Sequence, residues 1–235
     1  GERLRFPAPD SLCHNDKDSP SLITFAIMKI ICIGRNYTEH IKELNNETPE
    51  EPVIFIKPDT ALLRNNNPFF IPDFSNDVHH EVEVVVKIKK PGRHIPVGFA
   101  KDYYDEVALG IDFTARDVQS QLKAKGLPWE KAKGFDHSAA ISAFIPLNKL
   151  TNEGSEGIYA ATFSLEKNGM VVQSGNTNQM IHNVDEIIAH VSEYFSLRIG
   201  DYIYTGTPAG VGAVKSGDQL KGFLAGKEMF NFVVK

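Results

Sequence analysis

Two glutamates two residues apart, Glu81 and Glu83, stand in the run His79-His80-Glu81-Val82-Glu83-Val84-Val85-Val86. The β-branched residues make this run a strand. A strand has period two, so both carboxylates share one face. Val82, Val84 and Val86 fall on the other face, where they can enter a core. Two ionised carboxylates side by side repel, and a divalent cation with hard oxygen ligands offsets that repulsion directly. A second strand-like run, residues 106–111, ends at Asp112, which can supply a third ligand. A solvated strand face with alternating charge would show the same spacing, because an acid-x-acid pair alone is a weak motif.

Other reactive side chains fall at spacings that bring them together. His40 and Glu43 are i and i+3 on a short helical stretch, so a carboxylate can hold the imidazole, the usual way to orient a general base. A surface ion pair has the same pattern. Lys57 ends an apolar strand and can meet an anion or face solvent. Arg116 and Gln119, again i and i+3, start near Asp112. The loop at 127–138 carries Lys131, Lys133, Gly134 and His137, which can hold an anionic substrate or stay solvated. The stretch Thr205-Gly206-Thr207-Pro208-Ala209-Gly210-Val211-Gly212 exposes backbone N–H groups and hydroxyls that can cradle a carboxylate or phosphate. Its spacing fits neither a Walker loop nor a dinucleotide fingerprint.

The elements that must position these groups read as mostly β. Strands are expected at 29–34, 53–57, 69–71, 81–86, 106–112, 160–167, 170–174, 202–204, 218–220 and 228–234. Asn168-Gly169 is a hairpin turn between two of them. Helices begin at three expected caps. Asn36 with Glu39 and Asn183 with Glu186 read as capping boxes, and Thr114 with Asp117 as a further cap. Tyr37, Ile41 and Leu44 form the first apolar stripe. Val118 and Leu122 form the second, closed by Gly126. Val184, Ile187, Ile188, Val191 and Phe195 form the third. Strands outnumber helices and do not alternate regularly with them, which speaks against a doubly wound parallel sheet and points to a mixed, mostly β α+β fold.

The chain has 235 residues, 42% of them hydrophobic, enough for a full core. A net charge of −5 without a basic stripe argues against nucleic acid as a partner. No run of 18 apolar residues offers a membrane span. The two cysteines, Cys13 and Cys32, form no metal or redox spacing, and a reducing cytoplasm fits. Residues 1–27 are rich in proline and aspartate and show no period. They read as an N-terminal extension or start-site artefact ahead of a single domain at 28–235.

Five ordered motifs resemble the fumarylacetoacetate hydrolase family. They are Gly34-Arg35-Asn36-Tyr37 with His40, His80-Glu81-Val82-Glu83, and Asp112-Phe113-Thr114-Ala115-Arg116-Asp117-Val118-Gln119. Gly126-Leu127-Pro128-Trp129 with Lys133 and the 205–212 stretch complete the set. The likeness runs from Met28 to the C-terminus and is nearest to the small acylpyruvase and oxaloacetate decarboxylase branch. It implies a mixed β-sandwich roll, a homodimer, and Mg²⁺ or Mn²⁺ (Ca²⁺ as a crystal substitute) on Glu81, Glu83 and Asp112. It implies His40 and Glu43 as a catalytic dyad, Lys133 as a catalytic lysine, and Arg35, Lys57, Arg116, Gln119 and Thr207 as substrate-binding groups.

The chemistry so implied acts on 2-oxo acids. A cation that chelates the carboxylate and keto oxygen stabilises the enolate formed when a bond at C3 breaks. Hydrolysis of an acylpyruvate, decarboxylation of oxaloacetate and isomerisation of 2-hydroxyhepta-2,4-diene-1,7-dioate all use that enolate. A non-catalytic binding protein on the same fold is the remoter alternative.

Overall fold

In the computed structural model, which describes residues 28–44, 47–150 and 157–235, the β-branched and aromatic runs become strands as their period demands. In chain order these are β1 (Ile30–Gly34), β2 (Val53–Lys57), β3 (Leu62–Leu63), β4 (Val78–His80), β5 (Val82–Ile88), β6 (Tyr104–Asp112) and β7 (Thr114–Ala115). Then come β8 (Ala139–Ile141), β9 (Ile145–Pro146), β10 (Thr162–Lys167), β11 (Met170–Asn176), β12 (Tyr202–Tyr204), β13 (Gly212–Ala213), β14 (Gln219–Leu224) and β15 (Lys227–Val233). The helices are α1 (Thr38–Glu43), α2 (Val97–Ala100), α3 (Arg116–Ala124), α4 (Glu130–Lys133) and α5 (Val184–Tyr194). The fold is mostly β, as the sequence pattern implies, and residues 1–27 lie outside the described residues.

A large mixed sheet runs in the order β2-β1-β12-β5-β6-β8-β3, with β9 on β6. A four-stranded antiparallel sheet, β11-β10-β14-β15, and a small sheet, β13-β4-β7, complete the architecture. Val82, Val84 and Val86 are fully buried on one face of the large sheet. They join one core with Phe163, Leu165, Leu220 and Leu224 of the four-stranded sheet and Ile187, Ile188 and Val191 of α5. Full burial of each valine contributes about 1.5–3 kcal/mol. Val85, Cys32 and Tyr204 occupy the opposite face in a smaller cluster, which is also the face of Glu83.

The site lies where two paired strands leave the large sheet. β5 and β6 pair there, with Val82 opposite Ile111 and Glu83 opposite Gly110. One residue further on, β4 and β7 pair in the small sheet, with His79 opposite Thr114. Glu81 and Phe113 are the corner residues. The corner is tied by Asp112 N–H donating to Glu81 O at 2.8 Å. Gly110 is needed opposite Glu83, because a Cβ there would stand 2.6 Å from the Tyr204 ring.

Local signals fared unevenly. Asn183 caps α5 in a full capping box with Glu186. Asn168 and Gly169 turn β10 into β11 with positive φ at both residues. Gly126 ends α3, with Gly126 N–H donating to Lys123 O and Leu127 N–H to Leu122 O, a Schellman closure. The expected cap at Asn36 is not formed. Its amide instead bonds His182 O, Thr205 O and His182 N at 2.8–2.9 Å, which ties three segments together. Tyr37 is the N-cap of α1, without a side-chain cap, and Glu39 pairs with Lys42. Thr114 likewise is a strand residue, and α3 starts after Ala115. Asp117 accepts from Ser75 Oγ and Asn76 N instead. The expected strand at 69–71 is reduced to one bridge between Phe69 and Val234.

Candidate active site

Glu81, Glu83 and Asp112 meet at the floor of one cleft, where one carboxylate oxygen from each lies within 4.8 Å of the other two. All three are buried. Lys133, carried at the end of α4, puts its ammonium among them. Nζ stands 2.8 Å from Glu81 Oε2, 2.7 Å from Asp112 Oδ2 and 2.7 Å from Thr114 Oγ1. Lys57 approaches Asp112 from the other side, with Nζ 2.6 Å from Oδ1. It is fully buried and also bonds the Phe113, Ser138 and Lys133 carbonyls. Lys57 therefore sits behind Asp112 and does not line the cleft.

The charges explain each group's state. Burial acts to raise the Glu81 carboxyl, but Lys133, Arg116 and His40 outweigh it and hold it well below the ordinary range. Burial acts to lower the Lys133 ammonium, and Asp112 and Glu81 outweigh that and raise it. Glu83 differs. Burial, then Asp112 and Glu81, push its carboxyl well above the ordinary range. Among the described residues no side-chain cation pairs with it, and Gly206 N–H is its donor, at 2.7 Å. A buried carboxylate cluster with one member lacking a cation fits a hard divalent ion such as Mg²⁺ or Mn²⁺. Glu81, Glu83 and Asp112 are the residues that could hold it.

The wall of the cleft carries His40 on α1. His40 Nδ1 and a Glu43 carboxylate oxygen are 3.3 Å apart. Gly210 N–H in turn reaches both Glu43 oxygens, at 3.1 and 3.2 Å. The 205–212 loop thus does cradle carboxylates, namely the protein's own Glu83 and Glu43. Burial lowers the His40 pKa, Glu81 and Glu43 pull it back up, and Arg116 lowers it again, so the net direction favours the neutral imidazole. A carboxylate only accepts, which places the proton on Nδ1 and leaves Nε2 free to take another.

Arg116 pairs with Glu81 through Nη2 and with Gln119 Oε1 through Nη1, the latter at 2.8 Å, while its buried Nε has no partner among the described residues. Gln119, Arg35 and Thr207 also line the cleft. The Thr207 hydroxyl is already engaged, donating to Val82 O and accepting from Gln173 Nε2. Three contributors escaped the sequence reading. Thr114 bonds both Glu81 and Lys133. Gln173 is buried, and its Oε1 accepts from Val82 N–H and meets His80 Nδ1, while Nε2 donates to Thr207 and Pro208 O. Lys123 lines the cleft above Trp129. Its i+7 spacing from Arg116 was the available signal. Lys131 and His137 are exposed.

A mixed sheet sandwich that gathers three buried carboxylates, Lys133 and His40 in one cleft defines a β-rich enzyme fold with an acidic cluster that could hold a metal ion. The chain belongs to the fumarylacetoacetate hydrolase family, whose model "Fumarylacetoacetate (FAA) hydrolase C-terminal" matches residues 29–229. It is 42% identical to the oxaloacetate tautomerase of Escherichia coli (strain K12) over 200 residues, 85% of this chain and 90% of that protein. It is 45% identical to the mitochondrial oxaloacetate decarboxylase of Dictyostelium discoideum over 194 residues, 82% and 87% of the two chains. The fumarylpyruvate hydrolase of Pseudomonas aeruginosa, solved with Mn²⁺ and pyruvate, superposes with a TM-score of 0.82 at 32% identity. That match covers 100% of this chain and 99% of the other.

Proposed function

We infer that the chain enolises a small 2-oxo acid at C3, with keto–enol interconversion of oxaloacetate as the foremost reaction. The observation that carries this reading is the meeting, in one cleft, of three hard carboxylates with an imidazole held by Glu43. A cation on Glu81, Glu83 and Asp112 would supply electrophilic stabilisation for negative charge developing on the 2-oxo oxygen. The protein's own groups do the remaining work. His40 Nε2 takes the proton that leaves C3, the C3–H electron pair becomes the C2–C3 double bond, and a proton is returned to the 2-oxo oxygen. Glu43 holds the imidazolium so formed. Lys133 keeps a fixed positive charge at the floor. Arg116 and Gln119 orient the carboxylate end. Lys57 holds Asp112 in place and is a positioning residue.

Decarboxylation at C3 leaves the same electron pair on the substrate and needs no base. A second reading, hydrolysis of an acylpyruvate, is favoured by the Pseudomonas relative's match along the whole chain. There His40 Nε2 takes a proton from the water that attacks the C4 carbonyl. The C3–C4 bond then breaks, giving pyruvate and a carboxylic acid. The test follows the ultraviolet absorbance of enol oxaloacetate in Mg²⁺, in Mn²⁺ and in chelator, beside pyruvate release from oxaloacetate and from acylpyruvates. Metal-dependent loss of the enol above the buffer rate is expected. No acceleration in either metal overturns the oxaloacetate reading, and no turnover of any 2-oxo acid leaves a binding protein.

A further inference from the structure

α3 presents Arg116, Gln119 and Lys123 at i, i+3 and i+7, one helical face, and all three line the acidic cleft. The inner two are accounted for by Glu81 and by each other. Lys123 is not. Its ammonium lies 5.4 Å from the centroid of the Trp129 ring, a cation–π contact that holds it over the mouth. Trp129 is itself braced edge-on by Phe55 at 6.2 Å. Arg35 lines the same cleft from the end of β1. Its φ of 58° is a left-handed conformation that non-glycine residues rarely adopt, and such backbones gather at ligand sites.

The charge balance of the cleft is uneven. Asp112 is met by Lys57 and Lys133, and Glu81 by Lys133 and Arg116. Arg35 and Lys123 have no carboxylate partner among the described residues. Two further cations therefore stand at the mouth of a cleft whose inner cations are already paired. A 2-oxo acid offers one carboxylate to the floor, and a monocarboxylic one has nothing for these two groups.

Building on the reading of the cleft as a 2-oxo acid site, we propose that Lys123 and Arg35 form a subsite for the second carboxylate of a dicarboxylic substrate, with Lys123 as the specificity-determining residue. The substrate class is then the 2-oxo or 2,4-dioxo diacids, in preference to acylpyruvates with an uncharged tail. Burial lowers the Lys123 pKa, and Arg35, Arg116 and Lys133 lower it further, against a smaller opposite pull from Glu81. An incoming carboxylate relieves that repulsion, so two cleft cations without a carboxylate partner among the described residues favour an anionic tail.

The test uses acids that cannot lose a C4 carboxylate, in pairs that exchange the tail carboxylate for a methyl group. These are 2-oxoglutarate against 2-oxopentanoate, and 2-oxoadipate against 2-oxohexanoate, measured by calorimetry on the full chain with Mg²⁺. The parent should prefer the diacid at one or both lengths. Lys123→Met keeps an apolar stem on Trp129 and should weaken the preferred diacid by on the order of tenfold, one charge-assisted contact, while the monoacid changes by less than about twofold. Lys123→Arg should restore the preference. Equal weakening of diacid and monoacid would assign Lys123 to the shared 2-oxo acid end and overturn the subsite, as would a parent without preference or a variant without loss. If neither acid binds with Mg²⁺, the 2-oxo acid reading itself falls, and the subsite with it.

Discussion

Glu83 is the residue that separates a metal site from a salt-bridge network. Glu81 and Asp112 hold lysine and arginine partners, so removing either acid strands buried cations, which destabilises by about 3–5 kcal/mol whatever the function. Among the described residues Glu83 has only the Gly206 amide. Glu83→Gln should therefore leave the melting temperature in chelator unchanged or raised, and should abolish the rise that Mg²⁺ or Mn²⁺ gives the parent. A retained metal-induced rise would remove Glu83 from the ligand set. The dyad makes a second, signed prediction. Glu43 raises the His40 pKa against the effect of burial. In the parent, kcat/KM should hold through neutral pH and fall only below about 6.5, the ordinary histidine value, as His40 is protonated. Glu43→Gln should move that acid limb to still lower pH and reduce kcat. A limb that stays put would show that another group titrates. His40→Ala should slow acylpyruvate hydrolysis by on the order of 10²–10⁴ and oxaloacetate decarboxylation by less, since only the former needs a base for water. Equal losses on both substrates would refute that division.

Among the elements, the 205–212 loop does most to join the parts of the site. Gly206 N–H holds Glu83 and Gly210 N–H holds Glu43, both with φ near 100°, where a side chain is strained. A Cβ on Gly210 would stand 2.2 Å from Val172 O. Gln173 pins this loop to the start of β5 through Thr207, Pro208, Val82 and His80. Gln173→Leu keeps the volume and removes the amide, leaving buried groups unpaired, and should lower stability by at least about 2 kcal/mol in urea unfolding. An unchanged midpoint would show that the clamp carries no weight. The same contrast explains what was legible beforehand. The Asn183 capping box and the Asn168-Gly169 turn are set by backbone geometry within a few residues, and they form as read, whereas Glu81 and Glu83 converge although the expected single strand breaks at Glu81, between β4 and β5. Asn36 and Thr114 have the residue type of a cap, but distant partners claim their side chains. His80 and Gln173 are 93 positions apart, and no local period connects them. Lys123 shared a helical face with Arg116 and Gln119, but that i+7 spacing alone does not separate a cleft lysine from one on a solvated helix end until the cleft is built.

At the scale of the molecule, one core holds the large sheet against the four-stranded sheet and α5, and the far face of the large sheet is less well covered. Phe55, Leu62, Phe144 and Tyr202 are only half-buried there, around the small cluster of Ile30, Cys32 and Tyr204. A second copy on that face would complete the burial, in keeping with the homodimer that the family resemblance implies. Light scattering should then report about twice the 26.1 kDa chain mass, and a monomer at micromolar concentration would exclude it. Residues 1–27 pose the last question. β1 begins at Ile30, and Ile30, Ile31 and Cys32 are fully buried, with β2 and β12 paired on either side. The family match likewise starts at residue 29, and the Escherichia coli tautomerase aligns with 85% of the chain. The Pseudomonas fumarylpyruvate hydrolase instead aligns with all of it. Deleting residues 1–27 should therefore leave the melting temperature and oxaloacetate turnover as they are. If the leading segment serves hydrolysis, the truncated chain should lose fumarylpyruvate cleavage selectively. Loss of both activities with an unchanged melting temperature would place residues 1–27 in the active site itself, and a lowered melting temperature would place them in the core.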